Sequence, residues 1–184
     1  MAMRICKTLA VLALGAVLAT TMMGCGITAS SHDEGFADLD SLGFRDVDRT
    51  MSLSLGPTLL SIAASSTGDD PQTQALLQNL NGVRVKTYDI TGSHERVEHR
   101  IDTMSRKLQD DGWQPVVMVQ GEGERTVMLV KVRGELMLGI TVITCDAEEA
   151  VIVNVMGELQ PDMFSEAMVA LDVDVPDVQV AQAP

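Results

Sequence analysis

The most restrictive feature of the sequence is a series of four strand-like runs separated by very short breaks. The runs are PVVMVQ, RTVMLVKV, ELMLGITVIT and EAVIVNVM, and the breaks lie at 121–124, at Arg133-Gly134 and at 145–149. Neighbouring parallel strands need a crossover of about a dozen residues or more, so these breaks predict antiparallel hairpins. The run ELMLGITVIT is apolar on both faces, which predicts a central strand.

Two further strands and two short helices are predicted upstream. VDRTMSLSL alternates apolar and polar residues, as does VRVKTYDI, and both patterns are typical of strands. Between them, Gly56-Pro57 precedes the apolar stretch TLLSIAASS, and Asp70-Pro71 precedes QTQALLQNL. Pro in a first turn and Asp at an N-cap are helix-start signals, so each stretch is predicted to be a helix.

The longest predicted helix runs from Gly92-Ser93 to about Asp111, and Gly112 ends it. Its apolar residues are spaced by four, three and four positions, which places them on one stripe: Val97, Ile101, Met104 and Leu108. A last helix is predicted after Gln160-Pro161-Asp162, carrying Met163, Phe164, Ala167, Met168 and Leu171. The predicted fold class is α+β: an antiparallel β-meander sheet with helices packed mainly on one face.

The first 24 residues have the pattern of a signal peptide. Arg4 and Lys7 precede the apolar run LAVLALGAVLA, whose 11 residues fall well short of the roughly 20 that a membrane-spanning helix needs. The segment ends in Met22-Met23-Gly24-Cys25, which resembles a bacterial lipobox with Met in place of the usual Leu. The resemblance implies cleavage before Cys25 and attachment of lipid, palmitate included, to that residue. The alternative is a secreted protein cut elsewhere, for instance after Ala29.

The signal peptide sets the expected location and the domain boundaries. Gly26 rather than Asp would follow the lipidated Cys25, which by resemblance to lipoprotein sorting favours the periplasmic face of the outer membrane. Residues 25–44 are rich in Ser, Gly and Asp and predict a flexible tether. A single domain is predicted over 45–171. Residues 172–184 predict a disordered acidic tail, with an edge strand as the alternative.

Charge excludes one large class of partner. The chain carries a net charge of −13, and removing Arg4 and Lys7 with the signal peptide leaves 11 basic against 26 acidic residues, or −15. Nucleic acid binding needs clustered Lys and Arg, so nucleic acid is not expected as a partner. Such a surface also repels anionic lipid headgroups, so the expected contact with the membrane is through the lipid on Cys25.

Candidate reactive groups are few. His94 and His99 are five residues apart, which is the wrong spacing for a zinc helix, although His94/Glu98 and Glu95/His99 each share a face. Cys145 is the one thiol left once Cys6 is removed and Cys25 is acylated, and its acidic neighbours oppose a reactive thiolate. Met118, Met128 and Met137 lie on successive strands and form a weak candidate for copper. We assign no catalytic, cofactor-binding or metal-binding residue; Cys25 is the one predicted site, for lipidation.

The order of these elements resembles a bacterial family known as domain of unknown function 4252. The resemblance rests on GPTLLSIAA, DPQTQALLQNLNGVRVKTYDI, DGWQPVVMV and VRGELMLGITVITCDAEEAVIVNVMGEL and covers residues 45–171. It implies a small secreted or lipid-anchored domain of unassigned activity. We therefore expect a non-enzymatic, lipid-anchored module of the cell envelope that acts on another envelope protein. The alternative is a periplasmic hydrolase or small-ligand binder with an unrecognised site.

Overall fold

The computed structural model describes residues 26–39, 44, 47–68, 70–121 and 123–160. They form six strands and three helices, which confirms the α+β class. In chain order the elements are β1 (Asp48–Leu55), α1 (Pro57–Ser66), α2 (Pro71–Asn79), β2 (Leu80–Asp89), α3 (His94–Asp110), β3 (Trp113–Gln120), β4 (Arg125–Arg133), β5 (Leu136–Cys145) and β6 (Glu149–Leu159).

All six strands belong to one antiparallel sheet in the order β1-β2-β6-β5-β4-β3. The last four strands form the meander that the short breaks predict, because each break is long enough only for a hairpin. β5 lies inside the sheet and is buried on both faces, as its continuous apolar sequence predicts. β1 and β3 are the two edge strands, each interrupted by one register shift.

The helices are divided between the two faces of the sheet instead of lying mainly on one. Val127 and Leu129 point into a core with α3 on what we call the first face. Val130 and Ile140 point the opposite way, into a second core that contains Leu60 of α1, and this is the second face. Because the strands are apolar on both sides, each face has to be covered, and the long connection between β1 and β2 supplies the helices for the second face.

Helix α3 packs on the first face through the predicted stripe. Val97, Ile101 and Met104 have no exposed area, and Leu108 retains only 2%. The helix ends at Asp110, and Gly112 follows with φ +88°, a left-handed conformation that glycine adopts without strain. The stripe prediction is therefore confirmed.

The N-terminal segment, residues 26–39, lies against the domain where we expected a flexible tether. Asn154, buried in the middle of β6, holds it: its Nδ2 donates to the Gly35 carbonyl at 3.0 Å, and its Oδ1 accepts from Ala37 N at 3.1 Å. A Cβ on Gly35 would overlap the carbonyl oxygen of Leu138, so only glycine allows this approach to β5. Ala37 and Leu39 are buried on the first face beside the region that α3 covers. The few apolar residues of this segment show no periodic pattern in the sequence, but they are enough to pack against the first face of the sheet.

Phe44 and Phe36 add aromatic contacts along the same path. The Phe44 ring lies 4.8 Å from that of Tyr88, and the Arg84 guanidinium lies 4.7 Å from the centre of the Phe36 ring. These contacts cover part of the first face formed by β2.

Several predictions fall on parts of the chain outside the described residues. These are the signal peptide 1–24, the lipidation site Cys25, the last predicted helix beyond Gln160 and the acidic tail 172–184. Among the described helices, none combines the length and apolar character needed to cross a bilayer.

Candidate functional site

Of the two histidines of α3, His94 links the start of that helix to the β5–β6 turn. His94 Nδ1 lies 2.7 Å from the Asp146 carbonyl oxygen in the β5–β6 turn, and its Nε2 lies 3.7 Å from Glu98. His99 is exposed on the opposite side of the helix. Within the described ranges, no three His, Cys, Asp or Glu side chains are close enough together to hold a metal ion.

Cys145 lies at the end of β5 with 2% of its surface exposed. Burial, with a smaller contribution from the nearby Glu98 carboxylate, raises the pKa of its thiol to about 11, although the Arg125 guanidinium acts in the opposite direction. A nucleophilic cysteine needs the reverse, a lowered pKa and access to solvent. The environment of Cys145 is that of a small apolar core residue.

A shallow depression of about 370 Å³ opens at the same end of the sheet and is lined by acidic residues. Their carboxylates already accept hydrogen bonds from turns: Asp146 Oδ1 accepts from Glu148 N at 2.8 Å and from Glu149 N at 2.7 Å. Asp89 Oδ1 accepts from Thr91 N at 3.0 Å in the same way. These bonds lower the pKa of both aspartates. The two aspartates therefore close turns, and the depression lacks the apolar walls typical of a ligand pocket.

The three candidate methionines do not converge. Met118 lies opposite Val127 and so on the first face, while Met128 packs against the core of the second face. Met137 lies at the other end of the second face, in the same core as Leu60. A copper site built from thioethers needs its ligands around one point, which the sheet prevents here.

The outer edge of β3 is the most distinctive exposed feature. Residues 113–120 carry no charged side chain, and among the described residues no strand pairs with the outer side of β3. Val119 is 56% exposed, on the second face, and Met118 is 60% exposed, on the first face. Natural sheets normally protect such an edge with Lys, Pro or a bulge. β3 has Pro115 and a register shift before Val117, but beyond that point it pairs with β4 without interruption, and Val117, Met118 and Val119 are apolar.

The end of β3 is tied through Arg125 to its neighbouring strand and to α3. Arg125, at the start of β4, pairs with Asp102 of α3. Arg125 Nη1 donates to Gln120 Oε1 at 3.3 Å, which ties the end of β3 to the same ion pair. An edge that is already ordered loses little conformational entropy when a partner strand is added.

Two elements of the site were missed from the sequence. The role of Asn154 was missed, although one signal was present: an Asn at the centre of the apolar run EAVIVNVM requires buried hydrogen-bond partners. The exposure of β3 was missed because the position of a strand in the sheet depends on its neighbours. Pro115 was the local hint, since Pro inside a strand is found mostly at sheet edges.

Comparison with known proteins gives one match. No curated protein and no solved structure is similar to the chain. A family model described as Domain of unknown function (DUF4252) matches residues 44–167, which includes every described strand and helix and leaves the N-terminal segment outside. The match extends over about two thirds of the sequence, and the chain therefore belongs to the DUF4252 family.

Proposed function

We propose that this protein is a lipid-anchored component of the cell envelope that binds another envelope protein through the free edge of β3. The exposed, uncharged and preformed edge carries the proposal. Added strands bind through main-chain hydrogen bonds, and the alternating side chains give selectivity. Val119 and Met118 supply an apolar contact on each face of the edge.

The anchor is supported by the sequence Met22-Met23-Gly24-Cys25 and by contacts just after it. Gly56 N donates to the Ile27 carbonyl at 2.7 Å, and Thr58 N donates to the Gly26 carbonyl at 3.0 Å. Cleavage after Ala29 would remove these acceptors and leave both donors without them. Cleavage before Cys25 keeps the contacts and leaves the lipidated residue at the start of an ordered segment.

We propose that the occupant of the edge is an extended segment of another protein, apolar in the middle and basic at its ends. Asp110 and Asp111 precede β3 and Glu124 follows it, and all three are exposed. A segment with flanking Lys or Arg would complement these charges. A second copy of the chain fits less well, because two mature chains would each carry a charge of −15.

A non-enzymatic mode of action is supported by the state of the reactive groups. The Cys145 thiol is buried with a raised pKa, and the Asp146 and Asp89 carboxylates at the shallow depression are engaged in turns. Catalysis needs a nucleophile or base that reaches a substrate, whereas the β3 edge needs only its backbone and its exposed side chains.

The test is capture of partners from envelope extracts with the full chain and two matched variants. Val119→Lys places a charge on the β3 edge, and Met51→Lys places one on the opposite edge, where Met51 is 47% exposed. We expect one protein to be captured by the wild type and by Met51→Lys and lost with Val119→Lys. Cross-linking should place its contact on β3.

Three outcomes would contradict the proposal. A captured protein that is retained by Val119→Lys does not bind the β3 edge. A dimer of this chain that Val119→Lys dissociates in sedimentation experiments would mean that a second copy occupies the edge. If the wild type and both variants capture the same proteins, or if none of them captures any protein, the support for an interaction at β3 is removed. Thermal melts of both variants should show that they remain folded.

A further inference from the structure

Helix α1 has an outer face without charge in a chain that is otherwise strongly acidic. No charged residue occurs from Thr50 to Gly68, although 21% of the chain is charged. Leu60 and Ala64 are buried against the sheet, and Ile62, on the opposite side, is 58% exposed. Thr58 and Ile62 lie one helical turn apart, so they share this outer face.

The start of the described chain is hydrogen-bonded to the same helix. The carbonyls of Gly26 and Ile27 accept from Thr58 N and Gly56 N, as described above. Cys25 is joined directly to Gly26, so a lipid on Cys25 is attached one residue along the chain from the contact with the first turn of α1. Ile27, which is 50% exposed, adds an apolar side chain beside this position.

The hydroxyl groups on the outer part of α1 are satisfied inside the helix. Ser61 Oγ donates to the Thr58 carbonyl at 2.9 Å, Ser65 Oγ to that of Ser61 at 2.9 Å, and Ser66 Oγ to that of Ile62 at 3.0 Å. Serines in membrane helices bond back to the preceding turn in this way. Such hydroxyls lose fewer hydrogen bonds with water when the face enters a poorly hydrated environment.

We propose that the outer face of α1, together with Ile27, lies in the headgroup region of the membrane that the lipid on Cys25 anchors. The inference rests on the lipid anchor of the proposed function and adds an orientation to it. The acidic parts of the surface are repelled by anionic headgroups, while this uncharged face is not. Contact with the bilayer also removes the exposed Ile62 and Ile27 side chains from water.

The two functional parts of the protein lie near opposite edges of the sheet. Helix α1 packs against β1 and β2, and β3 is the opposite edge strand. Five strand spacings separate β1 from β3, or about 24 Å at roughly 4.8 Å each. The free edge of β3 would therefore lie well to the side of the surface that α1 presents to the membrane.

The test uses tryptophan fluorescence on vesicles and does not depend on natural lipidation. The mature chain, beginning at Cys25, is coupled through that thiol to maleimide lipid in phosphatidylcholine vesicles with and without brominated acyl chains. The buried Cys145 thiol, with its pKa of about 11, should not compete in the coupling. Ile62→Trp reports on the α1 face, and Val119→Trp, at a position of nearly equal exposure, reports on the β3 edge.

We expect the emission of Ile62→Trp to move to shorter wavelength on coupling and to be quenched by the brominated lipid, with no change for Val119→Trp. The native Trp113 is 3% exposed and contributes an equal background to both. Ile27→Trp is the second reporter if Ile62→Trp does not melt like the wild type. If the brominated lipid quenches Ile62→Trp no more than Val119→Trp, the proposed orientation is wrong. The outer face of α1 would then be available to a protein partner instead. Natural lipidation is tested in a separate experiment, in which cells are grown with labelled fatty acid. Protein from those cells that carries no label would contradict the lipid anchor without affecting the vesicle result.

Discussion

Replacing Asn154 with Ala should release the part of the N-terminal segment around Gly35 and Ala37 from the sheet. The two hydrogens of Asn154 Nδ2 are shared among three acceptors at 3.0 to 3.2 Å, the carbonyls of Gly35 and Ile140 and Thr141 Oγ1, and its Oδ1 accepts from Ala37 N. Two of these partners, Gly35 O and Ala37 N, belong to the segment. The side chain is therefore the main polar link between the segment and the interior of the sheet.

The loss of stability in Asn154→Ala can be estimated for two responses of the protein, one in which the segment stays in place and one in which it detaches. If the segment stays in place, the two backbone groups lose their partner in a buried position, at about 1–3 kcal/mol each. If the segment detaches, both groups regain water, but the burial of Leu39 and Ala37 is lost, at about 1.5–3 kcal/mol for the leucine and less for the alanine. The cheaper route sets the result, so we expect the free energy of unfolding to fall by about 3 kcal/mol, with local detachment.

Urea unfolding measures the total effect, and hydrogen exchange locates it. The amide of Ala37 and its neighbours in 26–39 should lose protection in Asn154→Ala, while the amides of α3 keep theirs. Thr144→Ala is the control: it breaks the 2.9 Å contact between the Thr126 and Thr144 hydroxyls on the second face and should leave exchange in 26–39 unchanged. An Asn154→Ala variant with wild-type stability and wild-type protection of Ala37 would refute the reasoning.

Four further predictions address the anchor, the core and one turn. Cys25→Ala should abolish incorporation of labelled fatty acid; a wild-type chain that takes up none would contradict the lipoprotein proposal. Cys145→Ala should lower the free energy of unfolding by about 1 kcal/mol. In the wild type, the buried Cys145 thiol should react with a maleimide no faster than the protein unfolds. Ile101→Ala should cost about 2–5 kcal/mol in urea unfolding because it empties a buried site under α3; a smaller loss would mean that the stripe is loosely packed. The pKa of Asp146 is lowered in the folded chain, so its contribution to stability is present above its ordinary value of 3.8 and is lost as the pH falls below that value. Thermal melts of Asp146→Ala should accordingly depend less on pH in that range than those of the wild type.

The candidate interface illustrates what sequence reasoning leaves open. The run WQPVVMVQ shows that β3 has no charge, but a buried central strand would read the same way. What makes Val119 and Met118 available is that β2 pairs with β6, which leaves β3 as an edge strand. That pairing joins residues some 70 positions apart, and no local pattern specifies it.

The local features of this protein were determined by its sequence. The spacing of Val97, Ile101, Met104 and Leu108 placed α3 on a core, because a helix has to bury its one apolar stripe. The short breaks after 120, 132 and 144 dictated the meander, because a few residues cannot reach a parallel neighbour.

Tertiary structure decided which surfaces remained available. Strands that are apolar on both sides do not indicate which face a connecting helix will cover, so the division of the helices between faces had to be observed. Residues 26–39 have no period of their own and become ordered through Asn154, more than 110 positions further along the chain. A buried polar side chain shows that it needs partners, but only the folded chain shows which backbone groups supply them.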